Sequence, residues 1–442
     1  MSDEKDLLEK NSDIPDGGFG WCVVLACFIY SMTCWGANAS YSIYLEHYLN
    51  DDVFKGANKL DFAAIGGITF GSGLMFAPAV IYLYHRFGVQ FVIAMGAVFQ
   101  GVSLMLAAFS VKLWQIYLTQ GVLLSFGLAF IYIPSLILLP HWFEKKRALA
   151  MGIAASGSGV GGIIFNLGIQ AIIEAKNIKW ALIAQFVICM TLNSIALPLS
   201  RIPRRTSRQR VKFSQFCDRE FLSNAGLWLL LGWAFFTMLG YVVVLYSLSA
   251  FTVSLGYSPR QGSYVECVTS IGWAVGRPVV GYMSDRWGTL TIGVWVHLFM
   301  AILCWSMWIP CRNFATVIAF GLLQGVFMGT IWATIGSVTA RVVGLRRMTS
   351  AFSLFWISVA VAGLVTPVIG LKLVEGRGSE AYKWTAVFSG FGYFGASLFQ
   401  YILRGYLIAQ DTEGLLGEGQ STSKFASVVK SLHCFKGLPR KV

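Results

Sequence analysis

The chain is predicted to be an all-α integral membrane protein with twelve transmembrane helices in two pseudo-symmetric six-helix bundles. Three observations predict this class. Twelve apolar stretches begin near Trp21, Asp61, Phe91, Leu113, Ala148, Trp180, Leu227, Gln261, Thr291, Phe314, Ser350 and Trp384, and a hydrocarbon core about 30 Å thick takes about 20 helical residues to cross. A basic insert divides them six and six. The halves also repeat one another at an offset of 200 residues, Pro78, Arg86, Gly88, Gly121 and Arg147 recurring as Pro278, Arg286, Gly288, Gly321 and Arg347.

Composition supports the same class. With 56% hydrophobic and 12% charged residues, a chain of 442 residues has too little polar surface for a soluble globule, so its main solvent is lipid. Membrane barrels alternate over segments of about 10 residues, whereas these runs are continuous and rich in Gly, Ala, Leu and Phe. The predicted divisions are a tail over residues 1–20, a bundle over 21–200, a basic linker over 201–220, a second bundle over 221–408 and a tail over 409–442.

Orientation follows from lysine and arginine, which collect in cytoplasmic loops. The linker carries Arg201, Arg204, Arg205, Arg208, Arg210, Lys212 and Arg219, and short basic loops occur at Lys145, Lys146, Arg147 and at Arg341, Arg346, Arg347. All lie on one side if the spans alternate, which places both termini in the cytosol. The net charge of +13 then reads as loop basicity facing anionic lipid, with no nucleic acid implied. The nine cysteines are scattered without C-x-x-C spacing, so neither a disulfide framework nor a metal site is expected, and no cofactor. The acidic opening (Asp3, Glu4, Asp6, Glu9, Asp13) predicts no cleavable signal ahead of the first span.

Parallel halves place a solute cavity between them near the midplane, worked by alternating access. This points to a carrier; no nucleophile triad or metal cluster suggests an enzyme. The segment Gly281-Tyr-Met-Ser-Asp285-Arg286-Trp-Gly288 resembles the loop motif of the major facilitator superfamily, with His85 standing in the first half where Asp285 stands in the second. The resemblance implies that Asp285 and Arg286, with the repeat-related Arg86, Arg147 and Arg347, gate the cytoplasmic helix ends. Two further segments narrow the family. Pro15-Asp16-Gly17-Gly18-Phe19-Gly20-Trp21, with Phe19 in the usual place of Trp, and the stretch from Trp142-Phe143-Glu144-Lys145-Lys146-Arg147 to Gly157 resemble the signatures of the monocarboxylate porter family; the stretch from Asn38 looks closest to its fungal branch. The resemblance implies a major facilitator fold and proton-linked movement of a monocarboxylate or related organic anion. It favours the plasma membrane, with a vacuolar or other internal membrane open.

Chemistry is expected at the few charges inside spans. A charge near the bilayer centre costs roughly 2.5–3.5 kcal/mol on insertion scales and therefore faces a partner or a wet cavity. Arg277 lies eight residues before Asp285, about 12 Å along the helix. Its counterpart in the first half is Ala77. It matches the family's substrate-binding arginine, and its planar fork of donors suits a carboxylate; a structural helix-to-helix bond is the alternative. Where animal lactate carriers have an acid and a lysine that take part in proton-coupled lactate movement, this chain has Trp273 and Ala39 and so lacks two parts of that machinery. Glu266, three turns from Arg277, is either a proton site or an interfacial carboxylate. Asn38, Tyr41, Asn166, Trp273, Gln324 and Trp356 are expected to line the cavity. Glu46 and His47 read as interfacial and His297 as packing. The G-x-G-x-x-G at Gly157, Gly159 and Gly162 is read as a helix-packing face, with Gly157 and Gly161 as its small-x-x-x-small pair, because no strand precedes it.

The expected partners are a small organic solute, a proton and membrane lipid, an accessory protein being left open. A facilitator for a neutral or bulky aromatic, vitamin-like solute is the nearest rival. A non-transporting nutrient sensor or scaffold is the other class.

Overall fold

A computed structural model of the protein describes residues 16–50, 54, 57, 59–202, 219–376, 378 and 380–416. Pro15, the linker arginines Arg204, Arg205, Arg208 and Arg210 with Lys212, the Glu46 and Arg346 side chains, and the tail from 417 lie outside the described residues.

Ten helices among the described residues are long and apolar enough to cross a membrane. They are α1 (Gly20–Ala39), α3 (Val89–Ala108), α4 (Leu113–His141), α5 (Arg147–Ala175), α6 (Ile178–Leu199), α7 (Ala225–Ser254), α9 (Thr289–Trp308), α10 (Phe314–Leu345), α11 (Arg347–Lys372) and α12 (Lys383–Asp411). An eleventh span, α2, is a pair of helices, Ala64–Met75 and Ala77–Phe87, bent by 47°. The twelfth, α8 (Pro259–Trp287), has 29 residues but is more polar, because it carries Arg260, Glu266, Arg277, Asp285 and Arg286. Each helix begins close to the start expected from hydropathy. The last one continues past Ile408 to Leu416.

Local chemistry sets the helix ends. Asn177, Asn224 and Asn313 each accept a first-turn amide of α6, α7 and α10, satisfying donors that the helix itself leaves orphaned. Ser258 and Gln261 close a capping box around Pro259 at the start of α8. Helices α2 and α8 both stop at a glycine of positive φ, Gly88 at +94° and Gly288 at +97°, a conformation that a Cβ would strain. The repeat read in sequence is therefore also a repeat of backbone conformation. Its two prolines act differently: Pro78 follows the break in α2, whereas Pro278 sits inside a continuous α8. In α1 a π-helical turn over Met32–Gly36 carries Trp35, and such turns often mark functional positions.

Helix α5 joins the two bundles because it has two glycine faces. A Cβ on Gly157 would fall 2.0 Å from the Phe28 carbonyl of α1, and one on Gly161 would fall 2.6 Å from that of Met32. On the other face, Gly152 and Gly159 press against α8, where added Cβ atoms would lie 2.3 Å from the Arg277 carbonyl and 2.5 Å from that of Ser270. In lipid there is no hydrophobic force between helices, so close backbone approach through small residues supplies the attraction. The glycine motif is thus a packing device on both sides of the helix.

The two signature stretches meet at the start of α5. Asp16 accepts the amides of Glu144 at 2.8 Å and Lys145 at 3.0 Å. Asp285 reaches across from the second bundle to accept those of Ala148 at 3.0 Å and Leu149 at 2.8 Å. Trp21 packs edge-on against Phe143, with ring centroids 4.9 Å apart. Elsewhere, His297 is fully buried, its Nδ1 on the Gly293 carbonyl at 2.7 Å and its Nε2 beside Thr237 and Trp233.

Candidate functional site

A cavity with about 890 Å³ of empty space, counting the part open to solvent, lies between the bundles. The first bundle contributes Trp35, Asn38, Ala39 and Tyr41 from the end of α1 and beyond it, Phe70 from α2, Tyr132 from α4, and Ser158 and Asn166 from α5. The second contributes Tyr241, Val244, Leu245, Tyr246 and Leu248 on α7, Glu266, Thr269, Ser270, Trp273 and Arg277 on α8, and Trp332 on α10. A wall drawn from both halves is what a carrier needs if rocking of the halves is to expose one site to either side in turn.

Arg277 is the cation of this wall. Its side chain is only 3% exposed, and its Nη1 donates to the Ala155 carbonyl of α5 at 2.6 Å and to the Ser158 hydroxyl. The guanidinium carbon stands 5.2 Å from the centre of the Trp273 ring one turn away, a cation–π contact. Gly329 of α10 makes room for it, since a Cβ there would fall 2.2 Å from Arg277 Nε. Among the described residues no carboxylate forms an ion pair with it. The arginine therefore makes a helix-to-helix bond and also borders the cavity, and the two readings offered by the sequence coexist.

Four buried polar atoms in this wall have no hydrogen-bond partner: Trp35 Nε1, Trp273 Nε1, Arg277 Nε and Asn166 Oδ1. Leaving a buried donor or acceptor unmatched costs about 1–3 kcal/mol each. Three of the four are N–H donors, so the wall is short of acceptors.

Six of the residues singled out in sequence lie together on this wall: Asn38, Tyr41, Asn166, Glu266, Trp273 and Arg277. Two do not. Gln324 is fully buried inside the second bundle, its Nε2 3.9 Å from Cys304 Sγ on α9. Trp356 is fully buried behind Trp332, the rings stacked 5.8 Å apart at 18°. Both expectations are corrected: helical spacing names a face, and these faces are turned to neighbouring helices. The sequence reading also passed over Trp35, Phe70, Tyr132, Tyr241 and Trp332. The offset of 200 that defined the repeat pairs Tyr41 with Tyr241, Phe70 with Ser270 and Tyr132 with Trp332, and all six line the cavity.

The gating candidates separate in the same way. Asp285 bridges the bundles as described above, and Arg147 opens α5 beside it, its Nε on the Phe143 carbonyl at 2.9 Å. Arg347 is half-buried at the head of α11. Arg86 and Arg286 are exposed, the latter lying over Trp287 on its own helix at 5.7 Å. Both sit in the last turn of their helices, α2 and α8, next to the positive-φ glycines Gly88 and Gly288.

Comparison with known proteins agrees with this architecture. Residues 23–311 match the Major Facilitator Superfamily. The chain is 53% identical to the probable transporter MCH2 of Saccharomyces cerevisiae, over 97% of this chain and 93% of that protein. It is 28% identical to monocarboxylate transporter 12 of Xenopus laevis, over 88% and 89%. Among solved structures, the E. coli fucose:proton symporter FucP superimposes with a TM-score of 0.63 at 14% identity, covering 85% of this chain and 98% of that one; this likeness concerns the fold. The chain is a multi-pass membrane transporter that belongs to the Major Facilitator Superfamily and, within it, to the monocarboxylate-transporter-like family with its fungal members.

Proposed function

We propose that the protein carries a monocarboxylate or a related organic anion across the membrane by alternating access, with a proton, and that Arg277 holds the carboxylate. The observation that carries this reading is the set of unmatched donors around Arg277. A carboxylate offers two oxygens with about four acceptor sites, and acceptors are what this wall is short of. Hydrogen bonds of a guanidinium to a carboxylate are also about twice as strong as neutral ones. Asn166 Oδ1, an acceptor on the same wall, suits a solute with one donor of its own.

In this reading the cytoplasmic side is closed by Asp285 on the first turn of α5, and the cycle opens it. Glu266, on the cavity wall with Arg277, is the proton site, in place of the acid that Trp273 replaces. The basic loops and both termini face the cytosol, the membrane being the plasma membrane. A facilitator for a neutral aromatic solute is the competing reading, and the aromatic share of the wall favours it.

Uptake of labelled organic acids into proteoliposomes, with and without an inward proton gradient, separates the two. Arg277→Gln is expected to abolish saturable uptake while the protein still reaches the membrane. Unchanged kinetics in that variant would remove Arg277 from the substrate site.

A further inference from the structure

The rings around Arg277 do more than fill space. Trp35 from the first bundle and Trp332 from the second face each other nearly in parallel, with centroids 6.4 Å apart and planes inclined by 22°. Packed aromatic pairs have centroids about 4.5–7 Å apart, so these two rings meet as an offset stack across the seam between the bundles, a slot that is closed here and opens only as the halves part. Both rings are braced from behind: Trp332 stacks on Trp356, and Trp35 leans on Phe70 with centroids 5.2 Å apart. Tyr132 closes one side edge-on to Trp35 at 5.6 Å and to Trp332 at 6.1 Å. A second near-parallel pair, Tyr241 and Trp273, lies 6.5 Å apart at 18°, and Trp273 is the ring over which the guanidinium sits.

We propose that the cargo is a flat, conjugated or aromatic monocarboxylate, its ring entering between Trp35 and Trp332 and its carboxylate meeting Arg277. This rests on the anion reading given above and adds the shape of the remaining part of the solute. The slot is built from one ring of each bundle, so a small rocking motion sets its width. A flat ring stacks on both faces as the halves come together; a puckered saturated ring is too thick. With Glu266 protonated, as its reading as the proton site has it, Arg277 is the one charge left among the lining residues, which favours a single negative charge over two.

The test uses purified full-length protein in lipid nanodiscs and three probes of similar size: benzoate, cyclohexanecarboxylate and neutral benzamide. Binding measured by calorimetry is expected to be roughly 3- to 10-fold tighter for benzoate than for cyclohexanecarboxylate, the range that aromatic pairing adds beyond area burial. Trp332→Leu is expected to bring the ratio of benzoate to cyclohexanecarboxylate affinity close to one, and Trp332→Phe to keep most of it, which separates loss of the slot from loss of the fold. Equal binding of the two acids overturns the ring slot and leaves the anion site standing. Benzamide binding as tightly as benzoate overturns the anion site itself. Binding of neither acid overturns both.

Discussion

The Asp285 carboxylate of the second bundle accepts the Leu149 amide of the first at 2.8 Å and the Ala148 amide at 3.0 Å. An acid at a helix N-terminus meets orphan donors and the positive end of the macrodipole together. The two bundles are thereby joined at this end by charge-assisted bonds.

Replacing that acid by its amide tests the latch. Hydrogen bonds to a charged group contribute about 1.5–3 kcal/mol, so Asp285→Asn is expected to shift the equilibrium toward the inward-open state by about tenfold or more. Spin labels placed on the cytoplasmic ends of α5 and α8 would read the change as a longer inter-bundle distance.

Glycine contact at the same interface gives a steric counterpart. Gly152→Ala places a methyl group 2.3 Å from the Arg277 carbonyl, whereas Gly168 on the same helix meets nothing within 4 Å. The first variant is expected to hold α5 and α8 apart and slow transport severely. Gly168→Ala is expected to transport as the parent does, and equal loss in both variants would point to helix stability instead of the interface.

If Glu266 is the proton site, Glu266→Gln fixes it in the neutral form. Uptake is then expected to lose its response to an inward proton gradient while exchange of labelled for unlabelled solute continues. Retained acceleration by the gradient would place the proton elsewhere.

The geometry around Arg277 requires a fork rather than a point charge. Lysine keeps the charge but offers no Nε beside Gly329 and no planar pair of donors. Arg277→Lys is expected to raise KM roughly 10- to 100-fold, the equivalent of one lost charge-assisted bond. Saturation kinetics of uptake measure this directly.

Some of the site was legible before any fold was known. Arg277 stood out because a lone charge in a span is costly, and Asn38, Tyr41, Asn166, Glu266 and Trp273 came with it to one wall. The five overlooked aromatics could have been flagged in part, since Tyr241 and the pair Tyr132 and Trp332 follow from the repeat. Trp35 could not: it is carried by a π-helical turn, and the extra residue in that turn shifts the face that ordinary helical spacing predicts. Gln324 and Trp356 failed for a related reason, as a polar or aromatic residue inside a bundle presents the same pattern as one on the cavity.

What sequence alone determined was the number and length of the spans, the two-fold repeat and the presence of one deep guanidinium. These are local or additive properties: helix rise, hydrocarbon thickness and the cost of burying charge depend little on which neighbours a residue finds. Tertiary structure alone decided that Asp285 bonds to α5 across the bundles, that Gly152 and Gly159 face α8 while Gly157 and Gly161 face α1, and that Trp35 meets Trp332. Each of those depends on how two helices from opposite halves are rotated and brought together, and that rotation is set jointly by all the packed surfaces.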